Sequence, residues 1–271
     1  MSSAVKQILC IKWGTGYGAD YVNRLYGMVS RNVTPPFRFI CFTDDRSGIR
    51  PEVECFDLPE LGCPVPTDVP GKWRKTALWG DELFGLSGTA LFLDLDVVIM
   101  GSLDPFFEIG NPDDVFLARN WIRPLERLGQ TSIFRFPIGK NSYMLEDFRK
   151  DSQAIAGKYR FEQRYVTRHV RGGVKFFPSR YVSHFRQSCS GPWILRYFMA
   201  PRRPRKARIV IFPGWPNPED ALVGRMNPSM TPMSPFAHLR ELFSKDRRRR
   251  FYPHLKNYIR PTPWIAEYWR E

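Results

Sequence analysis

No window of this 271-residue chain reaches the roughly 20 consecutive apolar residues that a bilayer span requires. The N-terminus offers only a short apolar run at 8–11 behind Lys6, too little for the core of a signal peptide. Both absences point to a soluble protein of the cytoplasm. Cysteine is scarce: five residues, at 10, 41, 55, 63 and 189, with no Cys-x-x-Cys pair and no zinc-like grouping with the four histidines. A disulfide framework and a structural zinc are thereby set aside, and the thiols read as reduced. Internal repeats are lacking, and the low-complexity stretches are all basic.

What the chain does have is core and positive charge. Hydrophobic residues make up 43% and aromatics 15%, ample for a packed domain at this length. Lys and Arg number 41 against 27 Asp and Glu, a formal charge of +14. Such an excess favours a polyanionic partner: a diphosphate, an anionic membrane face or nucleic acid. Much of it lies in two clusters, 202–208 and 245–250, behind a first 120 residues of mixed sign.

Residues 7–12 form a β-rich run, Gly14, Gly16 and Gly18 a turn, and 19–31 carry Val22, Leu25, Tyr26 and Val29 at helical spacing. Pro35 and Pro36 end that helix, and 37–43 reads as a second buried strand running into Asp44 and Asp45. The sum is a βαβ unit. A short strand is expected at 53–58 and a helix over 75–86 with Leu78, Trp79 and Leu83 on one face. Residues 89–93 are too short an apolar run for a helix, so they read as a central parallel strand delivering Asp94-Leu95-Asp96 at its carboxyl end. Ligands of open α/β sheets gather at that end. Later elements are expected at 132–136 (strand), 142–150 (helix) and 208–212 (strand).

Two carboxylates one residue apart in an otherwise apolar segment need compensation, because a buried unpaired charge is costly. Mn²⁺ or Mg²⁺ supplies it: these ions take one or two protein carboxylates and complete their shells with water and substrate phosphates. On an extended segment, residues i and i+2 face the same way, so Asp94 and Asp96 are candidate ligands of one ion. The plain alternative is that they cap a loop or pair with basic side chains.

The segment Leu91-Phe92-Leu93-Asp94-Leu95-Asp96-Val97-Val98, with Lys75-Thr76-Ala77-Leu78-Trp79 ahead of it, resembles the nucleotide-sugar glycosyltransferases of the GT-A fold, especially the retaining family 8 group that includes glycogenin. The likeness runs from the first strand to about Asp220. It implies a Rossmann-like mixed sheet flanked by helices, a nucleotide-sugar donor (a UDP-sugar is favoured) and a glycan or lipid-linked acceptor. It also implies Lys12, Trp13, Gly14 and Tyr17 at the base and ribose, and Lys75 at the diphosphate or sugar. Gln130-Thr131-Ser132-Ile133 falls near the bound sugar in such enzymes, and Glu162-Gln163 matches the family's Asp-Gln. Gln163 is then the residue beside the anomeric carbon, Asp94 and Asp96 the metal pair, with Asp96 also counted as catalytic. Phe212-Pro213-Gly214-Trp215-Pro216 resembles the end of a phosphate-binding motif, so the Gly214 amide is implied at a phosphate oxygen. Three positions depart from the family: Ile211 replaces its metal-binding histidine, Asn217 its lysine and Glu219 its tryptophan.

Gly14-Thr15-Gly16-Tyr17-Gly18-Ala19 also matches a dinucleotide fingerprint, with Asp44 placed to hold a ribose, although Asp44 comes later than the usual spacing of about 20 residues. A NAD(P)-dependent oxidoreductase is therefore the rival reading, and a basic nucleic-acid-binding protein a third; nucleic acid is the less expected partner. His169 and His184, isolated among arginines and aromatics, read as structural. Expected organisation is a glycosyltransferase domain over 1–225, its donor half at about 1–120 and its acceptor half at 121–225, then a basic, aromatic extension over 226–271. That extension interleaves 245–250 with Phe251, Tyr252, Tyr258, Trp264, Tyr268 and Trp269, a composition suited either to an anionic lipid surface, making the protein peripheral to the inner face of a membrane, or to packing back on the domain.

Overall fold

The computed structural model describes residues 5–123, 125–243 and 251–271. The chain divides into two compact units: Met1–Leu95 with Ser102–Ser179, and Asp96–Gly101 with Arg180–Glu271. The basic run at 245–250 lies outside the described residues.

The first unit is built on a seven-stranded mixed sheet. Strand β1 (Lys6–Lys12) leads through the glycine turn into helix α1 (Ala19–Asn32), which buries Val22, Leu25, Met28 and Val29 and returns the chain to β2 (Phe37–Thr43). Strands β3 (Glu54–Phe56) and β4 (Thr89–Leu93) complete a parallel set. The helix expected over 75–86 is instead a tight 3-10 helix, Trp73–Trp79, and the correction has a local cause. Gly80 and Asp81 interrupt it, and Phe84 and Gly85, both at positive φ, make a turn that brings Leu83 opposite Leu86. The expected apolar face survives, since Leu78, Trp79 and Leu83 are all buried.

The short β5 (Val97–Ile99) follows β4 but belongs to the second unit. Helix α2 (Asp104–Glu108), β6 (Phe116–Arg119) and β7 (Gly129–Pro137) return the chain to the first sheet. Strand β7 runs antiparallel to both β4 and β6, which sets this sheet apart from an all-parallel dinucleotide fold. Every residue of β7 is buried, including Arg135, whose guanidinium donates to the carbonyls of Phe106, Phe107, Ile109 and Asn111 around the end of α2. Helices α3 (Tyr143–Lys150), α4 (Ser152–Tyr159) and α5 (Glu162–His169) and the two-residue β8 (Lys175–Phe176) finish the unit, in the strand order β3-β2-β1-β4-β7-β6-β8. Trp73, Trp79, Phe92, Phe134, Phe136 and Phe148 fill one continuous core.

In the second unit, β9 (Val182–His184) and β10 (Ile209–Ile211) join β5 in the order β5-β10-β9. Helices α6 (Pro218–Val223), α7 (Pro235–Arg240), α8 (Phe251–Lys256) and α9 (Trp264–Tyr268) complete the unit, with α9 against β5 and α6 against α9. Tyr197, Tyr258, His238 and His254 pack ring on ring beside Leu255. Of the aromatics that the sequence offers to a lipid surface, Tyr258, Trp264 and Trp269 are buried, whereas Phe251 and Tyr252 are more than half exposed. Among the described residues no helix is long and apolar enough to cross a membrane, and all five cysteines are free thiols.

Candidate functional site

A break in strand pairing builds the centre of the site. Between Leu117 and Ala118 the partner on β7 jumps from Phe134 to Gln130, so Thr131, Ser132 and Ile133 bulge away from β6. Gly129 sits where this bulge closes on β6, and a Cβ there would lie 2.3 Å from Leu117 Cδ1. The liberated segment is used by residues from three other stretches of chain, two of them through charged side chains. The Ser132 carbonyl accepts the Asp94 amide at 2.9 Å, and the Thr131 carbonyl accepts Lys75 Nζ at 3.2 Å. The Thr131 hydroxyl donates to Glu162 Oε2 at 2.7 Å.

Lys75 is the hub. Its ammonium lies 2.5 Å from Asp94 Oδ1 and 5.1 Å from the centre of the Phe92 ring, with only 5% of the side chain exposed. Such burial holds only with counter-charge, and Asp94 supplies it. Glu162, on the first turn of α5, is buried as well, and among the described residues its Oε1 accepts no hydrogen bond. Burial pushes its carboxyl up to about 7, with the Lys75 charge and the Thr131 hydroxyl pulling the other way and Asp94 adding to the rise. Gln163, the neighbour that the family resemblance singles out, is half-buried.

The titration of Glu162 carries a test. The folded state takes up this proton near pH 7 and the unfolded chain near 4.5, so stability falls as pH rises through that window. Glu162→Gln should unfold with a stability close to wild type at pH 5 and above it at pH 8, by on the order of 2 kcal/mol. A variant that tracks the wild type at both pH values would show that Glu162 carries no such burden.

Asp94 and Asp96 do not share one extended strand, as the sequence suggests. The strand stops at Leu93, and Leu95 and Asp96 form a turn, with Leu95 buried between two partly exposed aspartates. Asp94 follows β4 in the first unit, and Asp96 opens the second unit's segment. Among the described residues no group of three or more His, Cys, Asp or Glu side chains converges as a ligand set. Ile211 is buried on β10 where the family carries its histidine.

Other expected residues gather at the carboxyl ends of β1 and β2, where Lys12 is in register with Thr43. The Gly14 amide donates to Asp44 Oδ2 at 2.8 Å, so Asp44 is engaged in fastening the glycine turn. Gly14 stands at φ 61°, and a Cβ there would meet nothing within 4 Å, leaving its face open. Lys12 is buried and donates to the Asp45 carbonyl at 3.0 Å. Trp13 packs partly on the core with Lys72 Nζ 5.9 Å from its ring, and Tyr17 lies against Tyr21. Gly214 is exposed in the second unit, in a loop that ends at the capping box of Asn217 and Asp220 on α6. His169 points Nδ1 at the Tyr165 carbonyl, and His184 is buried, its imidazole pushed down to about 4, so both act as packing groups.

Sequence reasoning named Glu162 and Thr131 only through the resemblance and missed their joint burial with Lys75. A signal was available: Lys75 lies two residues from Trp73 and from Ala77, and Glu162 follows Phe161, both apolar settings for charge.

No family model matches the chain, and no curated protein matches it in sequence. Solved structures do. The galactosyltransferase LgtC, in complex with donor and acceptor sugar analogues, is 15% identical with a TM-score of 0.54, over 78% of this chain and 88% of its own. The bifunctional glycosyltransferase WbbM is 12% identical with a TM-score of 0.56, over 80% of this chain and 47% of its own. The glycosyltransferase GlyE of Streptococcus pneumoniae is 11% identical with a TM-score of 0.55, over 95% of this chain and 66% of its own. The chain has the fold of these proteins, a mixed sheet flanked by helices of the GT-A type.

Proposed function

We propose that this protein is a glycosyltransferase that moves a sugar from a nucleotide-sugar donor, a UDP-sugar by preference, to a hydroxyl of a glycan or lipid-linked acceptor, with retention of configuration. The observation that carries it is the constellation of buried Lys75, Thr131 and Glu162 with the partly exposed Asp94 at the carboxyl end of β4, in a fold shared with solved glycosyltransferases. The residues fit a hard divalent cation in part: Asp94 keeps 22% side-chain exposure beside its lysine, and oxygen is the donor that Mn²⁺ or Mg²⁺ prefers. Asp94 and Asp96 would hold that ion, which when bound neutralises charge on the departing nucleoside diphosphate.

Lys75, already fixed by Asp94 and Thr131, offers a preorganised positive charge to the same leaving group. Lys12, Trp13, the open Gly14 turn and Tyr17 bind base and ribose, with Asp44 shaping the turn, and the Gly214 amide reaches a phosphate oxygen. Gln163 lies beside the anomeric carbon. The domain over 1–225 divides its work between a donor half before about 120 and an acceptor half after it. Phe251 and Tyr252, exposed beside Lys256, are the aromatic groups that support a lipid-side approach for the 226–271 extension.

The reading is tested by thermal shift with UDP, GDP, NAD and a DNA oligomer, each with and without Mn²⁺. UDP should raise the melting temperature in a Mn²⁺-dependent manner, by the equivalent of about 2–3 kcal/mol at a hundredfold excess over its Kd. Stabilisation by NAD without metal, or salt-sensitive binding to the oligomer alone, would replace it with one of the rival readings.

A further inference from the structure

The described residues 120–123 and 125–128 lie between β6 and β7 at the sheet end that carries Asp94, and the latter lead directly into Gln130–Ser132. Among the described residues, five arginines and one carboxylate gather around them. Glu126 meets Arg123, Arg164 and Arg168 at 3.4 Å each, longer than a tight charge-assisted bond, so none of the three guanidiniums is saturated by it. Arg164 and Arg168 are one turn apart on α5, the helix that also presents Glu162 and Gln163. Arg119 and Arg127 converge on the Phe176 ring, at 5.5 and 5.3 Å, and among the described residues neither pairs with a carboxylate. Ile122 and Leu125, at 67% and 102% exposure, leave apolar surface beside the charge.

Gathering like charges at one edge is unfavourable unless an anion answers them, and the internal carboxylate answers one charge in five. Guanidinium forks match the oxygens of a phosphate group, whose two negative charges suit the remaining excess. The placement is on the α5 side of the site, away from the Lys12 and Gly14 turn assigned to the nucleotide. We infer that the acceptor carries a phosphate group, and that Arg123, Arg164 and Arg168, with Arg119 and Arg127 behind them, bind it. This rests on the glycosyltransferase reading and specifies the acceptor class.

Calorimetric titration of the full chain with galactose 6-phosphate, glucose 6-phosphate, galactose and inorganic phosphate, at low salt, tests it. At least one sugar phosphate should bind about tenfold or more tightly than galactose and than inorganic phosphate. Arg123→Gln/Arg168→Gln should remove that preference while the Mn²⁺-dependent response to UDP stays at the wild-type level. Glu126→Gln should tighten sugar-phosphate binding, by roughly threefold or more, because it removes the competing carboxylate; a merely structural Glu126 would give no gain. Equal affinity for galactose and both sugar phosphates, a preference that survives the double variant, or inorganic phosphate binding as tightly as the tighter-binding ester overturns the inference. So does parallel loss of the UDP response, which would move the arginines to the donor. Failure of UDP to stabilise the wild type would defeat the enzymatic reading by itself, separately from the sugar-phosphate result.

Discussion

Lys75→Met should cost about 3 kcal/mol at pH 8 and much less at pH 5. At the higher pH the substitution strands two carboxylates: Asp94, which loses its partner at 2.5 Å, and the buried Glu162, whose charge Lys75 offsets. At the lower pH Glu162 is already protonated, and Asp94, partly exposed, recovers some hydration. For a unit of this size the loss corresponds to roughly 6–12 °C in melting temperature. Lys75→Met/Glu162→Gln should recover part of it at pH 8, since one stranded charge is gone. A pH-independent loss that the second substitution leaves untouched would mean that methionine merely packs badly against Phe92.

Asp96→Asn should reduce both sugar transfer and donor hydrolysis by at least about a hundredfold, with the melting temperature held within a few degrees. Asparagine keeps the shape and loses the charge, so a metal-holding role predicts failure of both reactions together. The Mn²⁺-dependent response to UDP should vanish in the same protein. Undiminished turnover would remove Asp96 from the mechanism and leave Asp94 with Lys75 as a structural pair. A drop in transfer with hydrolysis preserved would shift Asp96 to the acceptor side.

The run from β1 through α1 to β2 was legible because its signals are local: a short apolar strand, three glycines, one clean helical stripe and two prolines. The same holds for β4, whose Thr89 and four apolar residues are bounded by Gly88 and Asp94. The 75–86 segment misled because buried Leu78, Trp79 and Leu83 satisfy helical spacing while Gly80 and the Phe84–Gly85 turn decide the backbone. In the second unit the apolar run at 208–212 gave away β10, whereas β9 and helices of five or six residues carry too little periodicity to be read. The aspartate pair was visible as sequence, whereas the Lys75 and Glu162 partnership arises from a strand bulge and a helix over 80 residues further on, and no spacing rule reaches that far.

The excursion of the backbone at 96–101 has a practical corollary for anyone cutting the gene. Val97, Val98 and Ile99 are fully buried in a ladder whose other rail, β10, comes from 209–211. A fragment stopped at Ser179 would keep those three residues and lose the rail, exposing a sticky apolar edge in mid-chain. Soluble production of the first unit by itself therefore calls for replacing 96–101 with a short polar bridge, and such a fragment would be born without Asp96.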